Sequence, residues 1–110
     1  MKIGVAKVDI TVRSKKVFLQ GFADTRQKSD GVLHKIYSRA FYLKNDGIDL
    51  VIVVADIWSC TKHLKDKVIL TVNELFGKKV ISDHNLMLMG THTHSAPGGY
   101  SGYHLSLIHI

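Results

Sequence analysis

The stretch Asn45 to Ala55, NDGIDLVIVVA, constrains the fold of this chain more than any other. Asn45-Asp46-Gly47 is a hairpin signal, because Asn and Gly tolerate positive φ. The residues that follow, Ile48 to Ala55, are almost all aliphatic. Such a run suits a central strand covered on both faces, and the turn places an antiparallel partner beside it. That partner is Lys35 to Leu43, with Ile36, Ser38, Ala40 and Tyr42 on one side and Tyr37, Arg39, Phe41 and Leu43 on the other. Downstream, Ser59 is placed to cap a helix that runs to about Phe76. Leu64, Val68, Val72, Leu75 and Phe76 share one face of it, Asn73 falls mostly off that face, and Gly77 suits the C-cap. Asn85 to Met89 is a further apolar strand. Strand, helix, strand implies a right-handed crossover and parallel pairing. Lys2 to Thr11 alternates as a half-buried strand. The expected fold class is therefore α/β, a mixed sheet with a β-hairpin and a βαβ crossover.

Length and composition bound the function classes. At 110 residues the chain is at most one domain, and 45% hydrophobic with 22% charged residues places it among globular proteins. The longest apolar run, Leu50 to Ala55, is far too short to span a bilayer. The start, MKIGVAKVDIT, has no continuous apolar core and does not read as a secretory signal, which favours a cytoplasmic product if Met1 is the true start. The single Cys60 excludes an internal disulfide and a cysteine-only zinc site, and reads as a small buried residue at a helix start. A net charge of +6 and a pI near 9.6 point to anionic partners. The lysines are scattered in pairs such as Lys15-Lys16 and Lys78-Lys79, however, and no nucleic-acid motif is present. Nucleic acid is not expected as the main partner. A small basic module for nucleic acid or anionic membrane stands as the rival reading.

The topology creates a site. Ligands of open α/β sheets bind beyond the carboxyl ends of parallel strands. One such end carries Asp56; the other carries His92 and His94 in GTHTHSAPGG. On an extended segment these two histidines face one side, with Thr91 and Thr93 facing the other. Imidazole is a common zinc ligand, and a nearby aspartate could accept the second ring N–H. Pro97-Gly98-Gly99 bends the chain and permits close backbone approach. A polar loop, or histidines that bind substrate without metal, are the competing readings. Elsewhere, Arg39 reads as an exposed strand residue or an anion binder. Gly21-Phe22-Ala23, in the long loop from Val12 to Leu33, is a turn or a pocket wall. Ser95 lacks the G-x-S-x-G setting of a nucleophile. His34 and His63 read as solvated, and Trp58 as packing under the loop.

These residues resemble a family, the neutral/alkaline non-lysosomal ceramidases, in the N-terminal part of the catalytic domain. The matching pieces are VAKVDIT, QGFAD, YSRAFYL, VIVVADIW and LMLMGTHTHSAPGGY, in the family's order from about Lys2 to Tyr103. The resemblance implies a Zn2+-dependent amidase that splits the N-acyl bond of ceramide into sphingosine and a fatty acid. It implies His92 as a zinc ligand, His94 in the active-site pocket and Gly21 in the pocket wall. The family's remaining zinc ligands, a histidine, a glutamate and a tyrosine, lie beyond position 110. Where the family often has a histidine and an arginine before R-A-F, this chain has Leu33 and Lys35, with His34 one position off.

The reading at this point is an N-terminal fragment, residues 1–104, of a ceramidase-like catalytic domain, with residues 105–110 a non-native tail. LSLIHI resembles a translated sequencing adapter, so His109 is not a ligand. The expected site has His92 on the metal, His94 and Asp56 as catalytic groups, and Gly21, Phe22 and Arg39 lining the substrate pocket. The expected partners are a ceramide-like N-acyl lipid and peripheral membrane contact. A metal-dependent hydrolase of non-lipid amides or esters is the third option. Family members are often secreted or membrane-associated.

Overall fold

The computed structural model describes residues 1–13, 17, 19, 26, 28–98 and 100. Among them the chain runs β1 (Lys2–Asp9), β2 (Tyr37–Asn45), β3 (Ile48–Ala55), α1 (Lys62–Phe76) and β4 (Leu86–Gly90). The strands form one mixed sheet in the order β1-β2-β3-β4. β1 and β3 flank β2 antiparallel, and β4 runs parallel to β3. The hairpin and the βαβ crossover are thus both present. The turn places Asp46 at φ 49° and Gly47 at φ 78°. This is the doubly positive turn that suits the twist of two paired strands. No described helix is long and apolar enough to cross a membrane.

The aliphatic run of β3 predicts cover on both faces, and the described residues supply it on one. Val68, Val72 and Phe76 of α1 line a cleft together with Ala40, Tyr42, Val51, Val53 and Leu86 of the sheet. The opposite face, set by the register, presents Ile3, Val5, Phe41, Ile52, Val54, Met87 and Met89. Ile3 stays 66% exposed there and Val5 73%.

The helix ends where the sequence places its end, at Phe76 with Gly77 as C-cap, but it starts later than expected. Its N-cap is Thr61, whose Oγ1 accepts from the Leu64 amide at 3.2 Å. Ser59 is engaged elsewhere, its amide donating to the Tyr100 hydroxyl at 3.1 Å. Gly77 closes the helix in the left-handed conformation, φ 64°. In the last turn Leu75 is 80% exposed. Asn73 turns inward instead, accepting from the Val80 and Ile81 amides at 2.8 and 3.0 Å and donating to the Ile81 carbonyl at 2.9 Å. One side chain so satisfies three main-chain groups of the α1–β4 connection.

Beyond the ladder, a carboxylate ties the strand ends. Asp56, just after β3, accepts from the Tyr37 amide at 2.9 Å through Oδ2 and from Arg39 Nη1 at 2.9 Å through Oδ1. The Asp56 amide returns a bond to the Tyr37 carbonyl at 2.9 Å. The Arg39 hydrogen bond, joined by the Tyr37 amide and opposed by burial, holds the Asp56 carboxyl below the usual range. The Thr91 side chain, just after β4, adds a small lowering of the carboxyl pKa.

Two outcomes follow. Asn73→Ala should lower the urea midpoint by the equivalent of about 1–3 kcal/mol with an unchanged slope, since it strands three half-buried polar groups. Asn73→Asp, which keeps the acceptor oxygen, should lose less; equal losses would contradict the account. A depressed carboxyl stabilises the fold fully above the unfolded pKa of ~3.9, and that contribution fades as pH falls through the lower folded value. Asp56→Asn should therefore be less stable than the parent at neutral pH, and the gap should begin to narrow near pH ~4 and close only below the depressed folded pKa of Asp56. A constant gap across that range in acid-melting curves would contradict the tie.

Candidate metal centre

The ends of β3 and β4 are joined past the last paired residues. The Thr91 amide donates to the Ala55 carbonyl at 2.9 Å, and the His92 amide to the Ile57 carbonyl at 3.1 Å. The His92 ring then makes a third link, its Nδ1 lying 3.0 Å from the Trp58 carbonyl oxygen. A carbonyl only accepts, so this bond requires the proton on Nδ1 and leaves Nε2 as the ring's lone-pair atom. Gly90 permits the approach: a Cβ there would sit 2.8 Å from the Ile57 carbonyl oxygen. On the far side, the Tyr100 hydroxyl holds the Ser59 amide, and burial pushes its phenol pKa upward.

The histidines meet by a route different from the one their spacing implies. β4 ends at Gly90, and His92 takes φ 65°, a left-handed conformation rather than an extended one. The rule that alternate residues share a face fails at this point. The two rings are nevertheless adjacent, with centroids 5.3 Å apart at 73°. Trp58 stands against both, 5.4 Å from the His92 ring at 34° and 6.4 Å from the His94 ring at 89°. A non-glycine residue in this region of backbone space costs about 1–2 kcal/mol, and such residues cluster at functional sites.

Asp56 keeps its place at the end of β3, but the acceptor on His92 Nδ1 is the Trp58 carbonyl. Arg39 reaches Asp56 because its strand position pairs with Val54, two residues earlier on the same face. The guanidinium is therefore committed to a carboxylate. A cleft of about 440 Å³ opens between the loop before β2 and the segment after β4. Val12, Val17, Leu19, Val32, Leu33 and Ile36 form its apolar wall, and Thr93, Ser95 and Pro97 the opposite one. Leu19 and Pro97 pair across it in a single antiparallel bridge. Arg39, His92 and His94 do not line it; His34 does. Gly21, Phe22, Gly99 and the last ten residues lie outside the described residues.

Three parts of this arrangement have no counterpart among the site residues named from sequence: the Trp58 carbonyl, the close approach at Gly90 and the Tyr100 hydroxyl. Trp58 and Gly90 both stand at strand ends, which is the one signal that could have pointed to them.

Among the described residues no group of three His, Cys, Asp or Glu side chains converges on a possible metal position. What is present fits one part of a zinc site. A ring whose Nδ1–H is held by a main-chain carbonyl offers its other nitrogen in the form zinc requires. Burial pushes the Cys60 thiol pKa up.

The family profile described as neutral/alkaline non-lysosomal ceramidase, N-terminal, matches residues 1–110. Neutral ceramidase B of Dictyostelium discoideum is 35% identical over 105 residues, covering 94% of this chain and 15% of its own length. Neutral ceramidase of Pseudomonas aeruginosa is 33% identical over 104 residues, covering 93% of this chain and 15% of its own. The crystal structure of neutral ceramidase from Pseudomonas aeruginosa superposes with a TM-score of 0.89 at 31% identity, over 98% of this chain and 17% of that one. A ceramidase complexed with C2 superposes with a TM-score of 0.86 at 31% identity. This chain spans about 15% of the length of these curated relatives. On the profile match and the shared mixed sheet, the chain belongs to the neutral/alkaline non-lysosomal ceramidase family.

Proposed function

We propose that this chain supplies the first part of a zinc-dependent site that hydrolyses the N-acyl amide bond of ceramide, giving sphingosine and a fatty acid. The observation that carries the reading is the His92 ring, locked through Nδ1 to the Trp58 carbonyl at the joint of two parallel strands. His92 Nε2 is the metal ligand. The further ligands come from outside the described residues. Zinc, when bound, supplies Lewis acidity, polarising an amide carbonyl and lowering the pKa of water to about 7.

The chain's own residues do the remaining work. His94 is the proton carrier: in hydrolysis a C–O bond forms to the acyl carbon and the C–N bond breaks. The proton taken from the attacking water passes through the imidazole to the departing amine nitrogen. Asp56 is a positioning group that clamps β2 to the end of β3, so that the His92 turn has a fixed base. The apolar cleft beside Thr93 and Ser95 takes the hydrocarbon part of an N-acyl lipid. The net charge of +6 favours contact with an anionic membrane surface, where such a substrate resides.

The test is a chimera in which residues 1–104 replace the matching segment of the Pseudomonas aeruginosa neutral ceramidase. The 110-residue chain alone should turn over no ceramide, and the chimera should. In the chimera, His92→Ala should abolish both zinc retention and activity. His94→Ala should keep zinc while lowering kcat by about 10²–10⁴-fold. A His92→Ala chimera that keeps its zinc and its activity would contradict the proposal, as would turnover by the isolated chain.

A further inference from the structure

Trp58 touches the histidine pair in two independent ways, and neither is explained by packing alone. Its main-chain carbonyl is the acceptor for His92 Nδ1 at 3.0 Å. Its indole lies against both imidazoles, tilted on His92 and edge-on to His94, within the range at which aromatic rings attract. Its own Nε1–H is buried without a hydrogen-bond partner. An orphaned buried donor is a penalty that the contact with the two imidazoles must offset. His92 itself is held at φ 65°, a conformation that persists only when its surroundings over-determine it.

We propose that Trp58 is the positioning residue of the histidine pair: its carbonyl fixes the proton on His92 Nδ1, and its ring holds the two imidazoles against each other. In free solution an imidazole side chain favours the opposite tautomer and rotates about χ1 and χ2. With the indole in place, the three ring centres form a triangle with sides of 5.3, 5.4 and 6.4 Å, so that the indole and the His94 ring together limit the rotation of His92 and Nδ1 stays aimed at the carbonyl. This goes beyond the zinc reading, because the tautomer and the ring geometry are set before any metal arrives; only the effect on metal affinity rests on that reading.

The experiment is long-range 1H–15N NMR of the histidine side chains in the 110-residue chain at mildly alkaline pH, first without metal and then with zinc alone. In the parent chain and in Trp58→Phe, His92 should show the Nδ1–H tautomer. In Trp58→Ala it should show a mixture, and the indole's ring-current contribution to the shifts of the His92 and His94 carbon-bound protons should vanish. Backbone amide shifts of the four strands, unchanged in Trp58→Ala, separate this from unfolding. With zinc, the half-saturating concentration read at His92 should rise about tenfold in Trp58→Ala, the scale for losing an outer partner of a metal ligand. If Trp58→Ala keeps the parent tautomer, the positioning role of the indole is overturned, because the carbonyl, which the substitution leaves in place, then fixes the ring alone. Should Trp58→Ala not fold, nuclear Overhauser contacts from the indole to both imidazoles in the parent decide the matter, and their absence overturns it. A normal tautomer result combined with no zinc retention by the chimera, which supplies the further ligands, would refute the zinc reading and leave the role of Trp58 standing.

Discussion

The site depends on one joint: three carbonyl acceptors, those of Ala55, Ile57 and Trp58, facing three donors, the amides of Thr91 and His92 and the His92 ring. Two of these bonds prolong the parallel ladder past its last pair, Ala55 with Gly90. The third converts a backbone register into a side-chain orientation. All three acceptors lie at the end of β3 or just after it and all three donors just after β4, on two stretches already fixed by the sheet. Gly90 is the position at which this joint is most exposed to substitution, since any side chain there meets the Ile57 carbonyl.

The joint sits at the polar end of a sheet that is otherwise apolar on both faces. Lys7, Tyr37, Arg39 and Asp56 gather there, with the Lys7 ammonium 4.1 Å from the Tyr37 ring centre and the Arg39 guanidinium on Asp56. Asp56 is paired with Arg39 in this group, so that it acts as a clamp rather than as a free carboxylate beside the histidines. The carboxylate is satisfied by two protein donors: it accepts from the Tyr37 main-chain amide and from the Arg39 guanidinium.

Much of the fold was legible because it rests on patterns that sequence carries directly. The turn at Asp46-Gly47, the aliphatic strand after it and the Gly77 stop each follow from local chemistry. The helix start was less so: Ser59 and Thr61 are both good caps, and Tyr100, distant in sequence, decides between them by taking the Ser59 amide. Asn73 looked like a solvent-facing helix residue, and only the path of the α1–β4 connection draws it inward. At the site, the histidine pair was visible from its place after a strand. The left-handed turn at His92 was not, since nothing in a Thr-His-Thr sequence announces it. The Trp58 carbonyl is invisible in principle, because every residue has one and only the tertiary path selects it. The pairing of Arg39 with Asp56 was available from the strand register and needed only the hairpin to be carried one step further.

The most direct measurement is the anomalous X-ray density of zinc in crystals of the chimera. The account places the metal about 2.0–2.1 Å from His92 Nε2, with Nδ1 still on the Trp58 carbonyl. Zinc bound at Nδ1, or a His92 ring turned away from the metal with the Trp58 carbonyl released, would contradict it.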